Sequence, residues 1–113
     1  MSVTIRYLDG CPSWQRVRER LRAAAREAGV DLDVRLEPVE TLDEAQRLGL
    51  PGSPTILLEG VDPFARPGSV AGVACRLYDT PAGPAGVPTV DQLATALRRC
   101  SAPERQYGGT GRR

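Results

Sequence analysis

The stretch YLDGCPSW, residues 7–14, holds the grouping in this chain whose residue types and order point to chemistry. Cys11 follows the turn pair Asp9–Gly10 and precedes Pro12, which suits the first position of a helix because its missing N–H would have no intrahelical partner there. A thiol in that place meets the open N–H groups and the positive end of the helix dipole. Both favour the thiolate, the form of cysteine that attacks disulfides and holds soft metals. The plainer alternative is a small buried cysteine packed under a turn. Trp14 either stands beside Cys11 one turn into the helix or is the large residue of the helix's core face. Asp9 is a polar neighbour with a carboxylate at hand.

Other chemistries are excluded by what the chain lacks. It contains no histidine, so the usual neutral-pH base, the commonest metal ligand and every Ser/His or Cys/His pair are missing. Its 15 basic residues, all arginine, face 14 acids for a net charge of +1, which leaves no electrostatic footprint for nucleic acid or membrane. The N-terminus has no apolar signal region, and Ile56–Leu58 is the longest run of large aliphatics, so neither export nor a membrane span is predicted. The expected compartment is the cytoplasm, where thiols stay reduced. Cys11, Cys75 and Cys100 have no zinc spacing, and their odd number is no disulfide framework. No metal and no cofactor is expected.

These residues need a scaffold. A chain of 113 residues makes one domain able to bury about 65% of its unfolded surface. Val3, Ile5 and Tyr7 alternate with polar neighbours as a strand ending at Asp9–Gly10. Val17, Leu21, Ala24, Ala25 and Ala28 recur at helical spacing up to Gly29, with Arg16, Arg18, Arg20, Arg22 and Arg26 on the other side, read as a solvated face with an anion-binding surface as the alternative. Leu32, Val34 and Leu36 form a second strand. Thr41 and Glu44 have capping-box spacing for a short helix ending at Gly49. TILLEG, from Thr55, reads as a strand covered on both faces. Pro and Gly make residues 61–72 a loop, VACRLYDT a fourth strand and PAGPAGVP an irregular connection. A last helix capped by Thr89 turns Val90, Leu93, Ala94 and Leu97 inward. The domain spans residues 1–100, and residues 101–113 read as a disordered tail.

The resulting α/β order is β-α-β-α-β-β-α, with a four-stranded mixed sheet flanked by helices. With GCPSW before the first helix and GSPT, residues 52–55, heading the third strand, the chain resembles the thioredoxin-like superfamily. The resemblance implies a cis Pro54 facing Cys11 and a Ser53 backbone open to a bound thiol ligand or peptide. It makes Cys11 the catalytic residue, with Pro12, Trp14, Ser53, Pro54 and Asp9 around the substrate. Trp14 stands where that family has its second cysteine, so a local dithiol cycle is not available. Three readings stay open: a mixed disulfide at Cys11 with a small thiol or partner protein, a remote resolving thiol at Cys75 or Cys100, or an interaction module without turnover. Strand directions place Cys75 and Cys100 at the end of the sheet far from Cys11. YLDGCPSW, GSPTILLEG and ACRLY also look similar to small bacterial thioredoxin-like proteins with names related to alkylmercury lyase, which makes soft-metal binding at Cys11 the runner-up activity.

Overall fold

Val3 and Ile5 are fully buried while Thr4 and Arg6 are half-buried, the period-two pattern of a strand with one face on the core. A computed structural model of the chain describes residues 1–8, 10–65 and 76–101. Its elements are β1 (Ser2–Leu8), α1 (Ser13–Ala28), β2 (Asp33–Val39), α2 (Leu42–Leu48), β3 (Thr55–Leu58), β4 (Tyr78–Thr80), β5 (Gly83–Ala85) and α3 (Val90–Ser101). Strand β1 lies at the centre of a three-stranded sheet, parallel to β2 and antiparallel to β3.

This corrects the expected four-stranded sheet. Strand β4 does not join β3 but pairs with β5 as a separate antiparallel hairpin around Pro81 and Ala82. The stretch read as an irregular connection thus contains a strand that its prolines conceal. The pair Thr80 and Gly83 flanks the two-residue turn and is the hydrogen-bonded one, so Pro84, opposite Asp79, falls where its missing N–H costs nothing. Of the expected fourth strand, residues 73–75 lie outside the described residues, as does the tail from residue 102.

The helices follow their sequence signals. Gly29, at φ 68°, closes α1 with its N–H on the Ala25 carbonyl, and Val30 N–H shares that carbonyl. Thr41 caps α2 by accepting from Glu44 N–H at 3.1 Å. Thr89 and Gln92 cap α3 reciprocally, each side chain accepting from the other's N–H. Helices α1 and α3 cover one face of the sheet, where Val17, Leu21, Ala24, Leu93 and Leu97 bury themselves against Val3, Ile5, Ile56 and Leu58. Each of the larger side chains contributes about 1.5–3 kcal/mol. Helix α2 serves the opposite face through a smaller cluster of Val39, Ala45 and Leu50 with Leu8. Arg20 donates to the Pro88 carbonyl and Arg98 to the Glu27 carbonyl, so α3 runs in the same direction as α1. Among the described residues no helix is long and apolar enough to cross a membrane.

Candidate functional site

The connection from β1 to α1 is closed by the Cys11 N–H, which donates to the Leu8 carbonyl at 3.0 Å. Pro12 follows in helical conformation as the N-cap of α1, where no side chain caps the helix. Cys11 is therefore held two residues before the first turn. It is 6% exposed, under an exposed Pro12. Its Sγ lies 3.9 Å from the Ser53 carbonyl oxygen, within reach of a weak S–H hydrogen bond.

The Ser53–Pro54 peptide bond is cis. Ser53 is wholly buried and its Oγ accepts from Leu8 N–H at 2.9 Å, tying the head of β3 to the end of β1. Its carbonyl, which the resemblance had left open for a ligand, accepts from Arg76 N–H at 2.8 Å. That expectation is corrected: the Ser53 oxygen is an internal acceptor, shared between the chain at Arg76 and the Cys11 thiol. Fold and sequence thus bring together Cys11, Pro12, Ser53 and Pro54. Trp14 turns along the sheet instead, half-buried and packed against the main core. It stacks on Tyr7 at 4.6 Å between ring centroids, with the Arg18 guanidinium 5.3 Å above its ring. Asp9 lies outside the described residues.

Behind the Ser53–Pro54 turn stands a buried polar group that the sequence reading did not find. Arg76 is 7% exposed; its guanidinium donates to Asp62 at 2.8 Å and to the Phe64 carbonyl at 2.6 Å, and reaches Thr55 Oγ1 at 3.5 Å. Its cationic carbon also sits 4.5 Å from the centre of the Tyr78 ring. Tyr78 O–H in turn donates to the Pro54 carbonyl. Both carbonyls of the turn are thereby held by the segment Arg76–Tyr78, one through backbone and one through a side chain. The signal for this was a single arginine inside the apolar run ACRLY, where a charge must find partners if the run is buried.

Burial pushes the Tyr78 phenol far above the ordinary tyrosine range; the Arg76 cation opposes that rise and the Asp62 anion adds to it. A raised phenol contributes stability that is complete below the unfolded value of about 10 and is lost as pH rises above it, because only the unfolded chain can then ionise. Wild-type stability is expected to fall above about pH 10 more steeply than that of Tyr78→Phe. At neutral pH the variant loses about 1–3 kcal/mol by leaving the Pro54 carbonyl without its donor. Urea unfolding of both chains across pH 7–11 checks the two slopes; parallel curves would show that Tyr78 is not the buried phenol described.

Of the remaining thiols, Cys100 lies far from Cys11, as the element directions predict. Cys100 is exposed at the far end of α3 and, with Arg98 beside Glu27, near the end of α1 opposite Cys11. The rise along α1 puts about 20 Å between them. Cys75 lies outside the described residues, but the chain at Arg76 is not remote from the site. Through the shared Ser53 oxygen, Arg76 N is no more than about 6.7 Å from Cys11 Sγ. The expectation placed on Cys75 itself falls outside the described residues; the neighbouring Arg76 and Tyr78 reach the turn at the head of β3. Among the described residues no cluster of three His, Cys, Asp or Glu could hold a metal ion. No family model, no curated protein and no solved structure matches this chain.

Proposed function

We propose that the protein is a thiol-dependent redox or thiol-binding protein acting through Cys11, with the chemistry of the thioredoxin-like superfamily reduced to one cysteine, in the reducing setting of the cytoplasm. The observation that carries this reading is the placement of Cys11 Sγ at the approach to α1, 3.9 Å from the Ser53 carbonyl of a rigidly held turn. In the proposed cycle the Cys11 thiol loses its proton to solvent and the thiolate attacks one sulfur of a disulfide RSSR. The S–S bond breaks, Cys11–S–S–R forms, and RS⁻ leaves and takes up a proton. A second thiol R′SH, deprotonated, attacks the R sulfur; R–S–S–R′ departs and the Cys11 thiolate returns. One disulfide is exchanged for another with no net oxidation. The low exposure of Cys11 favours a second reading, an interaction module in which the thiol only packs.

Oxidation with glutathione disulfide followed by peptide mass mapping separates them. Because Cys100 is exposed, the measurement belongs in a Cys100→Ser background. A glutathione adduct on the Cys11 peptide, absent from Cys11→Ser, is the expected result. An adduct on Cys75 alone, or none at all in the folded protein, would favour the interaction module. A bridge from Cys11 to Cys75 would replace the external thiol by an internal one, and mercuric-ion binding lost in Cys11→Ser without any adduct would favour the soft-metal reading.

A further inference from the structure

The arginine row of α1 is not all solvated surface. Arg18, Arg22 and Arg26, one helical turn apart from each other, form one wall of an open groove of about 770 Å³ whose floor includes Leu32, Val34 and Leu36. The three aliphatic residues belong to β2 and the turn before it. They are only half-buried, since α1 sits over β1 and leaves the α1 side of β2 partly uncovered. Asp31 is the one carboxylate on the groove's lining. The groove thus joins an apolar floor to three cations and a single anion.

Its outer side is an open sheet edge with a definable polarity. β2 is the edge strand, paired only with β1 among the described residues. Asp33 N–H donates to the Met1 carbonyl at 2.8 Å, so Asp33 faces β1. In a parallel ladder the bonding alternates, which turns Arg35, Glu37 and Val39 inward and leaves the N–H and C=O of Val34 and Leu36 pointing out of the sheet. Pro38 is next in the outward series. It has no N–H to present, so it ends the usable edge there, as prolines on edge strands do. The open backbone and the apolar floor therefore coincide on Leu32–Leu36, a length of about 13 Å.

We propose that this groove is a docking site for an extended, acidic peptide segment of a partner protein, which adds as a strand outside β2. Its backbone pairs with Val34 and Leu36, and alternate side chains enter the groove, where Arg18, Arg22 and Arg26 meet their carboxylates. Main-chain bonds of this kind supply affinity and the alternate side chains supply selectivity. The imbalance of three cations against Asp31 decides for an acidic segment. The site is separate from Cys11 and does not depend on the thiol reading.

The test is an amide NMR titration of the full chain with a capped heptapeptide alternating glutamate and valine. Controls are the lysine–valine counterpart and two glutamate–valine peptides N-methylated at alternate residues, one in each register, so that each has one edge that cannot pair. Shifts centred on the Val34 and Leu36 amides are expected with the first peptide. Affinity should fall at least tenfold in Arg22→Glu/Arg26→Glu, both exposed positions, and weaken in high salt. Val34→Pro, which removes one outward N–H, should reduce binding in a chain shown by circular dichroism to be folded. Equal binding of the lysine peptide, undiminished binding of both N-methylated registers, or shifts that avoid β2 would each overturn the proposal. So would occupation of the groove by decanoate with no response to the acidic peptide, since that describes a small-molecule site.

Discussion

Arg76→Ala is expected to lose about 3–5 kcal/mol of stability, the cost of breaking a buried ion pair from one side. Against a total on the order of 10 kcal/mol for a domain of this size, that is a large fraction. The geometry decides for a cost at the upper range of single substitutions. Arg76 and Asp62 have side chains only 7% and 14% exposed, so solvent does little to screen what the truncation leaves behind. An Asp62 carboxylate without its cation, a Phe64 carbonyl without its donor and an uncovered Tyr78 ring face all remain. Replacing both partners tells the same story from the other direction. Arg76→Met combined with Asp62→Leu removes the charges together and is expected to recover most of the loss, because the pair's attraction is offset by the desolvation of both ions. Urea unfolding of the two single variants and the double variant measures the coupling. Should Arg76→Ala unfold within about 0.5 kcal/mol of wild type, the guanidinium is not the anchor described. The Arg76→Ala chain keeps the backbone N–H on the Ser53 carbonyl and the Tyr78 hydroxyl on the Pro54 carbonyl, but it loses the guanidinium that fixes this segment to Asp62 and Phe64, so alkylation of Cys11 in a folded Arg76→Ala chain should also quicken.

The helices were legible because their signals are local. The 3.6-residue recurrence from Val17 to Ala28, the Thr41–Glu44 spacing and the glycines at 29 and 49 all concern residues within one or two turns of each other, and each formed as read. The meeting of Cys11 with Ser53 was legible only through a resemblance, since no periodicity links positions 42 residues apart. The partner of the last strand was the failure. Tyr78–Thr80 has the composition of a strand, but composition does not say which edge it takes, and the Pro and Gly content of residues 81–88 hid β5. The role of Arg76 was out of reach for a related reason. Arginine is usually exposed, and the aspartate that allows its burial lies 14 residues earlier.

Trp14→Cys carries the largest expected functional effect. Pro12 has φ −75° and ψ −13° and Ser13 opens α1, so position 14 stands about one helical turn beyond Cys11. Helical geometry places such residues about 5 Å apart at Cα, within the span a disulfide accepts. The new thiol would attack the Cys11 sulfur of a mixed disulfide. RS⁻ would leave, the intramolecular disulfide would form, and the substrate would have been reduced by two electrons that an added dithiol then restores. Reduction of insulin by dithiothreitol, slow with the wild-type chain, should therefore be accelerated by the variant and not by Trp14→Cys/Cys11→Ser. The stack on Tyr7 and the Arg18 contact contribute about 0.5–2 kcal/mol beyond the area that the half-buried ring covers on the core, so the assay is read on a variant shown by circular dichroism to be folded. Trp14→Ala isolates that cost, along with any easier access to a thiol that is 6% exposed in the native chain. If the folded Trp14→Cys protein forms no bridge under oxidised glutathione while Trp14→Ala still traps glutathione on Cys11, the thiol at the head of α1 is reactive but not presented for a partner on the first turn. If neither variant reacts, Cys11 is a packing residue and the site belongs to the Arg76–Tyr78 scaffold alone.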